Sequence, residues 1–198
     1  DMVLSFGGLV VLSPVYAAIA LAIKIEDPGP VLFTQKRVGQ NKEYFKLHKF
    51  RSMKVSTPHD VPTHQLENPD QYITKVGKFI RAHSLDELPQ IWDIFIGNMT
   101  IVGPRPERLE TIELYEKEMP EFALRLQAKA GLTGLAQVYG KYNTTPYNKL
   151  QMDLQYIGSM GIVTDLKIIF ATVKILFMPE STEGVAQGQV TAEKKEDK

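Results

Sequence analysis

The first 25 residues divide sharply from the rest. Met2 to Ile23 carries no charge and then gives way to Lys24, Glu26 and Asp27. As a helix, about 22 residues reach roughly 33 Å, close to a bilayer core. Pro14 lies mid-run and frees a carbonyl, which the Ser13 hydroxyl can take up by bonding back along the helix. From the residues alone, three readings stand: a full span, a signal segment with small residues at Ala17-Ala18-Ile19-Ala20, and a Ser-Pro helix that dips into the membrane and returns to the same face. Glu26-Asp27-Pro28-Gly29-Pro30 ends the run with turn chemistry.

Beyond it the pattern shortens. Val31 to Val38 and Tyr44 to Phe50 read as two strands joined by Gly39 to Glu43, a hairpin dotted with Lys36, Arg37, Lys42, Lys46, Lys49 and Arg51. Val55 to Asn68 reads as a surface loop in which His59 and His64 lack metal-pair spacing. Pro69 to Arg81 has Tyr72, Ile73, Val76 and Ile80 on one stripe and predicts a short helix. Ser84-Leu-Asp-Glu87 fits a capping box ahead of Leu88, Ile91, Trp92, Ile94 and Phe95. That places Asp86 and Glu87 in a first helical turn, made irregular by Pro89. Gly103-Pro-Arg-Pro106 stiffens a loop around one guanidinium. Glu107 to Glu118 and Glu121 to Lys129 predict an amphipathic pair broken at Pro120. Gly131-Leu-Thr-Gly134 is a tight backbone turn, and Tyr139 to Tyr147 a polar, aromatic loop. Val163 to Met178 is apolar with Lys167 and Lys174 on one face, which suits an interfacial helix or a core one. Ser181 to Lys198 reads as a polar, disordered tail.

Composition changes this picture little. The 198 residues hold 23 Lys+Arg and 23 Asp+Glu, so net charge gives no ground for a nucleic-acid partner. The absence of cysteine excludes disulfides and thiolate metal sites. A chain that opens on Asp1 suggests a piece of a longer protein.

The candidate chemistry is an acid pair beside cations. Taken alone, two acids in a first helical turn suit a solvated cap that complements the dipole; the orphan amides of a helix start also suit bound phosphate, as does an arginine on a rigid loop. Ser84-Leu-Asp-Glu-Leu-Pro-Gln90 followed by Val102-Gly-Pro-Arg-Pro106 resembles the motif pair of the bacterial sugar transferases, the monotopic polyprenyl-phosphate phosphoglycosyl transferases. Pro28-Gly-Pro30, Arg37-Val-Gly39, Lys49-Phe-Arg-Ser-Met53, the Gly-x-Thr-Gly turn and Leu150-x-x-Asp-x-x-Tyr-Ile157 follow the family order, from residue 1 to about 183. Ala130 and Leu135 stand where the family has proline and tryptophan.

The resemblance implies an α/β fold, predominantly helical, with a small β-hairpin, an N-terminal re-entrant membrane helix kinked at Ser13 and Pro14, and amphipathic interfacial helices. It implies a membrane helix over 1–25, a catalytic domain over 26–180 and a tail over 181–198. The implied reaction moves a sugar-1-phosphate from a UDP-sugar to undecaprenyl phosphate and releases UMP. Asp86 is the implied nucleophile and Glu87 the Mg²⁺ ligand, with Lys49, Arg51, Arg81, Arg105, Thr133 and Asp153 on the substrate. The implied site of action is the cytoplasmic face of the bacterial inner membrane, against the lipid bilayer, at the first membrane step of exopolysaccharide or capsule synthesis. A homo-oligomer stays open. The rival readings are another Mg²⁺-dependent membrane phosphotransferase and a non-catalytic membrane scaffold.

Overall fold

The computed structural model describes residues 1–58, 68–140 and 144–176. His59 and His64, and everything from residue 177 onward, lie outside the described residues. Within them the chain is mostly helical, with two small sheets.

Helix α1 runs from Met2 to Glu26 and continues through Pro14. Proline cannot donate to the carbonyl four residues back, which is that of Val10. The Ser13 hydroxyl donates to that carbonyl at 2.8 Å, as the Ser-Pro pair predicts. The helix is long and apolar enough to cross a membrane by length and composition. Met2, Val3, Leu4, Phe6, Val10, Val11, Leu21 and Ile25 are exposed, and only Ser5, Ile19 and Ile23 are buried.

Strands β1 (Leu32–Val38) and β2 (Tyr44–Phe50) form the antiparallel hairpin foreseen in the sequence. Asn41 and Lys42 turn it at positive φ. Helix α2 (Lys75–Ala82) is shorter than the predicted 69–81 segment. Pro69–Tyr72 is a separate 3₁₀ turn, because the Thr74 side chain caps α2 by accepting from the Gly77 amide. A 3₁₀ turn, Leu85–Glu87, then leads into α3 (Gln90–Phe95). Strands β3 (Thr100–Val102) and β4 (Gly131–Thr133) pair in parallel, a sheet too short to read from alternation.

Between β3 and β4 run α4 (Leu109–Glu118) and a long 3₁₀ stretch, Pro120–Gln127, where an amphipathic helix is expected to resume. Helices α5 (Leu135–Tyr139), α6 (Pro146–Gly158) and α7 (Ile162–Leu176) follow. α5 occupies ground that reads as turn and loop, since five residues give no helical period.

Four apolar clusters join these elements. Val38, Ile112, Phe122, Leu126 and Leu150 seal the hairpin base against α4 and α6. Ile19, Ile23, Phe50 and Ile80 bind α1 to β2 and α2. Leu47, Ile94, Met99 and Ala130 join β2 to α3. Val102, Tyr156 and Ile168 join β3 to α6 and α7. α1 lies back along α3: Phe6 meets the Phe95 ring at 5.9 Å, Gly8 faces Ile91, and Asp1 accepts from the Thr100 hydroxyl at 2.5 Å.

Candidate active site

The acid pair sits where three elements meet. Asp86 and Glu87 lie on the 3₁₀ turn between α2 and α3. The expected capping box is not formed. Ser84 stands at φ 54, in the left-handed region, with no side-chain cap bond. Glu87 instead turns its carboxylate to cations. Its Oε1 accepts from Lys49 Nζ at 2.8 Å and from Arg105 Nη2 at 2.5 Å, and its Oε2 faces Arg105 Nη1 at 3.4 Å. An irregular turn, not a regular helix start, is what lets neighbouring acids reach one site, since side chains at i and i+1 on a helix diverge.

The two acids titrate in opposite directions. Burial raises the Asp86 carboxyl, with the Glu87 charge adding to it, against the pull of Lys49 and Arg81. Burial would raise Glu87 too, but Arg105 and Lys49 outweigh it and hold Glu87 at about 2. The same pairing lifts Arg105 above its ordinary range.

Each cation comes from a different element. Lys49 reaches in from β2. That strand is fixed beside α3 by Asp93, which is fully buried and accepts from the His48 amide at 2.9 Å while its other oxygen meets His48 Nδ1 at 2.7 Å. Arg81 comes from the last turn of α2. Its Nε donates to Ser52 Oγ at 2.7 Å, and its charge acts on Asp86. The approach depends on Gly77, where a Cβ would lie 1.9 Å from the Ser52 carbonyl oxygen.

Arg105 is carried by a loop bonded on every side. The Gly103 amide donates to the Thr133 carbonyl at 2.8 Å, and the Gly131 amide to the Pro104 carbonyl at 2.9 Å. Arg125 Nη2 donates to the Arg105 carbonyl at 3.0 Å, and Arg37 Nη1 to the Pro106 carbonyl at 3.1 Å. Two buried or half-buried guanidiniums thus hold the backbone that presents a third. Burial lowers Arg37 to about 10 against the pull of Glu107.

Three expected substrate residues are placed elsewhere. Arg51 is buried at the end of β2, where its Nη1 meets Asp27 Oδ2 at 2.7 Å and its Nη2 bonds the Asp27 carbonyl. Thr133 shares a 2.6 Å hydroxyl contact with Thr172 of α7. Asp153 is not a surface acid. Its Oδ2 takes Arg125 Nε at 2.8 Å and Nη2 at 2.7 Å, with both side chains about 1% exposed. It therefore touches the site through Arg125 and the Arg105 carbonyl.

The sequence reading missed Arg125, Glu107, Lys149 and Asp93. Glu107 bonds Lys149 and faces Arg125 at 3.7 Å; burial would raise it, and those cations hold it at about 2. Charged residues whose partners lie 18 to 45 positions away leave no local pattern. The one available signal was Arg125 inside an otherwise apolar segment.

Among the described residues no cluster of three or more His, Cys, Asp or Glu forms a metal cage. Two adjacent carboxylates still fit Mg²⁺, a hard cation that keeps waters and shares substrate phosphates rather than needing an all-protein site.

The site is thus an acid pair framed by Lys49, Arg81 and Arg105, a set of charges whose chemistry suits phosphate. The chain belongs to the bacterial sugar transferase family, whose profile matches residues 1–179. It is 42% identical over 178 residues to the UDP-glucose:undecaprenyl-phosphate glucose-1-phosphate transferase of Escherichia coli K12, covering 87% of this chain and 38% of that protein. It is 38% identical over 181 residues to the exopolysaccharide production protein PSS of Rhizobium leguminosarum, covering 87% and 90%. It is 36% identical over 168 residues to the UDP-N-acetylgalactosamine-undecaprenyl-phosphate N-acetylgalactosaminephosphotransferase of Aeromonas hydrophila, covering 83% and 39%. The chain thus spans about two fifths of the first and third of these relatives.

Proposed function

We propose that this chain transfers a sugar-1-phosphate from a UDP-hexose to undecaprenyl phosphate, through a covalent phosphosugar on Asp86. The observation that carries the reading is the setting of the two acids on one irregular turn, where Glu87 bonds Lys49 and Arg105 with Asp86 beside it. Adjacent carboxylates driven apart in pKa mark separate roles. Asp86, raised, is the more basic and better nucleophile. Glu87, held ionised by two cations, is a fixed charge.

An Asp86 oxygen attacks the phosphorus that bears the sugar. The bond from that phosphorus to the UMP oxygen breaks, and UMP leaves with the electron pair. An oxygen of undecaprenyl phosphate then attacks the same phosphorus, the bond to Asp86 breaks, and the carboxylate is restored. Lys49, Arg81 and Arg105 surround the acids and match the charge of a diphosphate, which is most of what phosphoryl transfer asks of a protein. Glu87 is the residue that would hold Mg²⁺, and the ion would supply further neutralisation of the diphosphate.

Exposure supports a membrane placement. Apolar side chains of α1, Trp92 of α3 and Ile96 just after it, and Ile162, Val163, Leu166, Phe170 and Val173 of α7 are exposed. Lys167 and Lys174 of α7 suit snorkelling at an interface. Both ends of α1 touch the same globular body, Asp1 at Thr100 and Glu26 at the start of α2. That favours a helix that enters and returns over one that leaves through the far leaflet. We place the domain on the cytoplasmic face of the bacterial inner membrane, where undecaprenyl phosphate keeps its phosphate at the interface.

The reading is tested by UMP release in vesicles. With undecaprenyl phosphate, Mg²⁺ and a panel of UDP-sugars, the chain yields UMP and lipid-linked sugar diphosphate in equal amounts. UMP release with free sugar phosphate instead would identify a hydrolase.

A further inference from the structure

The later half of α1 and its end bond beside three of the segments that carry the site, namely α2, the end of β2 and the acid turn. The Glu26 carboxylate accepts from the amides of Lys75 at 2.6 Å and Val76 at 2.8 Å, at the start of the helix that ends in Arg81. Asp27, at the helix end, holds Arg51, two residues beyond Lys49. The third tie comes from within the apolar run. The Tyr16 hydroxyl donates to the Leu88 carbonyl at 2.5 Å, one residue past Glu87.

That carbonyl lies at the irregular joint between the acid turn and α3. It also takes the Ile91 amide at 3.0 Å, while Trp92 bonds Pro89 instead. Packing alone does not call for the hydroxyl. The Tyr16 ring meets Phe50 at 5.5 Å, a contact that phenylalanine would keep. A phenol in an apolar helix must find an internal acceptor or lose hydrogen bonding, and here the acceptor is the main chain of the acid pair.

We propose that Tyr16 is a positioning residue for Asp86 and Glu87. Its hydroxyl ties the membrane helix to the backbone beside Glu87 and fixes the acid turn against Lys49 and Arg105. The kinetic part of this inference rests on the transfer reading above. Nucleophilic attack tolerates little misplacement, so loosening the turn lowers the rate of the covalent step more than it weakens substrate binding.

The test compares wild type with Tyr16→Phe, each as the full chain in phosphatidylethanolamine–phosphatidylglycerol vesicles. Two quantities are read: transfer kinetics with undecaprenyl phosphate and a panel of UDP-sugars, and amide hydrogen exchange along the chain. The expected result is a fall in kcat of about fivefold, with KM for the UDP-sugar unchanged within about twofold. Exchange at Glu87, Leu88 and Gln90 to Trp92 accelerates by a similar factor while β1, β2 and α6 are unaffected. Unchanged kcat with unchanged local exchange overturns the proposal. Uniformly faster exchange with full activity per folded molecule overturns it too, by showing a general packing role. If wild type transfers no sugar of the panel, the functional reading fails separately. The exchange comparison then decides alone: local acceleration upholds the tie and no change removes it.

Discussion

At the scale of single residues, charges are held in place by other charges, and each such pair has a pH consequence. Glu87 and Glu107 both lie near 2 in the fold, against an ordinary 4.5. An acid whose folded pKa is depressed contributes stability that is complete above its unfolded pKa and lost as pH falls toward the folded one. The window is therefore about pH 4.5 down to 2, and each glutamate supplies on the order of a few kcal/mol. Asp86, Asp93 and Asp153 are raised by burial and act in the opposite sense. Glu87→Gln should flatten the acid limb of a stability–pH curve; an unchanged limb would show that Glu87 is not ion-paired in solution. Asp153→Asn should destabilise by about 3 kcal/mol, because buried Arg125 loses its hydrogen-bonded countercharge and keeps only Glu107 at 3.7 Å. Arg125→Met with Asp153→Leu should recover much of that stability and still turn over slowly, since the Arg105 carbonyl has lost its donor. Wild-type turnover in this double variant would make the pair purely structural.

At the scale of elements, the glycine of α2 decides where Arg81 arrives. Gly77→Ala puts a methyl group against the Ser52 carbonyl, so α2 must shift. Denaturant unfolding should show a loss of about 1–3 kcal/mol, with turnover falling further than stability explains; an unaltered midpoint would mean the helix moves without strain. Elements with a repeating pattern were legible before the structure. The hairpin came within one residue of its observed ends. The Ser13 bond to Val10 follows from what proline removes. The acid turn was legible only in part: a helix start at Ser84 is sound local logic, but Glu87 is claimed by Lys49 and Arg105 from 38 and 18 residues away, and that tertiary pull overrides the cap. β3 and β4, three residues each, exist through a pairing across 31 positions that no local window contains.

At the scale of the whole molecule, the site and the apolar surface are one construction, with α1 lying along α3 and bonded beside the acid pair. Lys49, Arg81 and Arg105 were legible as candidate cations, whereas the buried supports Arg125 and Asp93 were not, because their partners are distant in sequence. If α7 shares the membrane face, Phe170→Asp should lower partition into anionic vesicles by about tenfold or more in a flotation assay; unaltered flotation would remove α7 from that face. The most direct measurement of the central claim is the intact mass of the protein after incubation with a panel of UDP-sugars and Mg²⁺, with no lipid acceptor added. The account predicts a gain of one sugar phosphate that is absent from Asp86→Asn and discharged by undecaprenyl phosphate. Persistence of the adduct in Asp86→Asn, or full lipid-linked turnover by that variant, would contradict it.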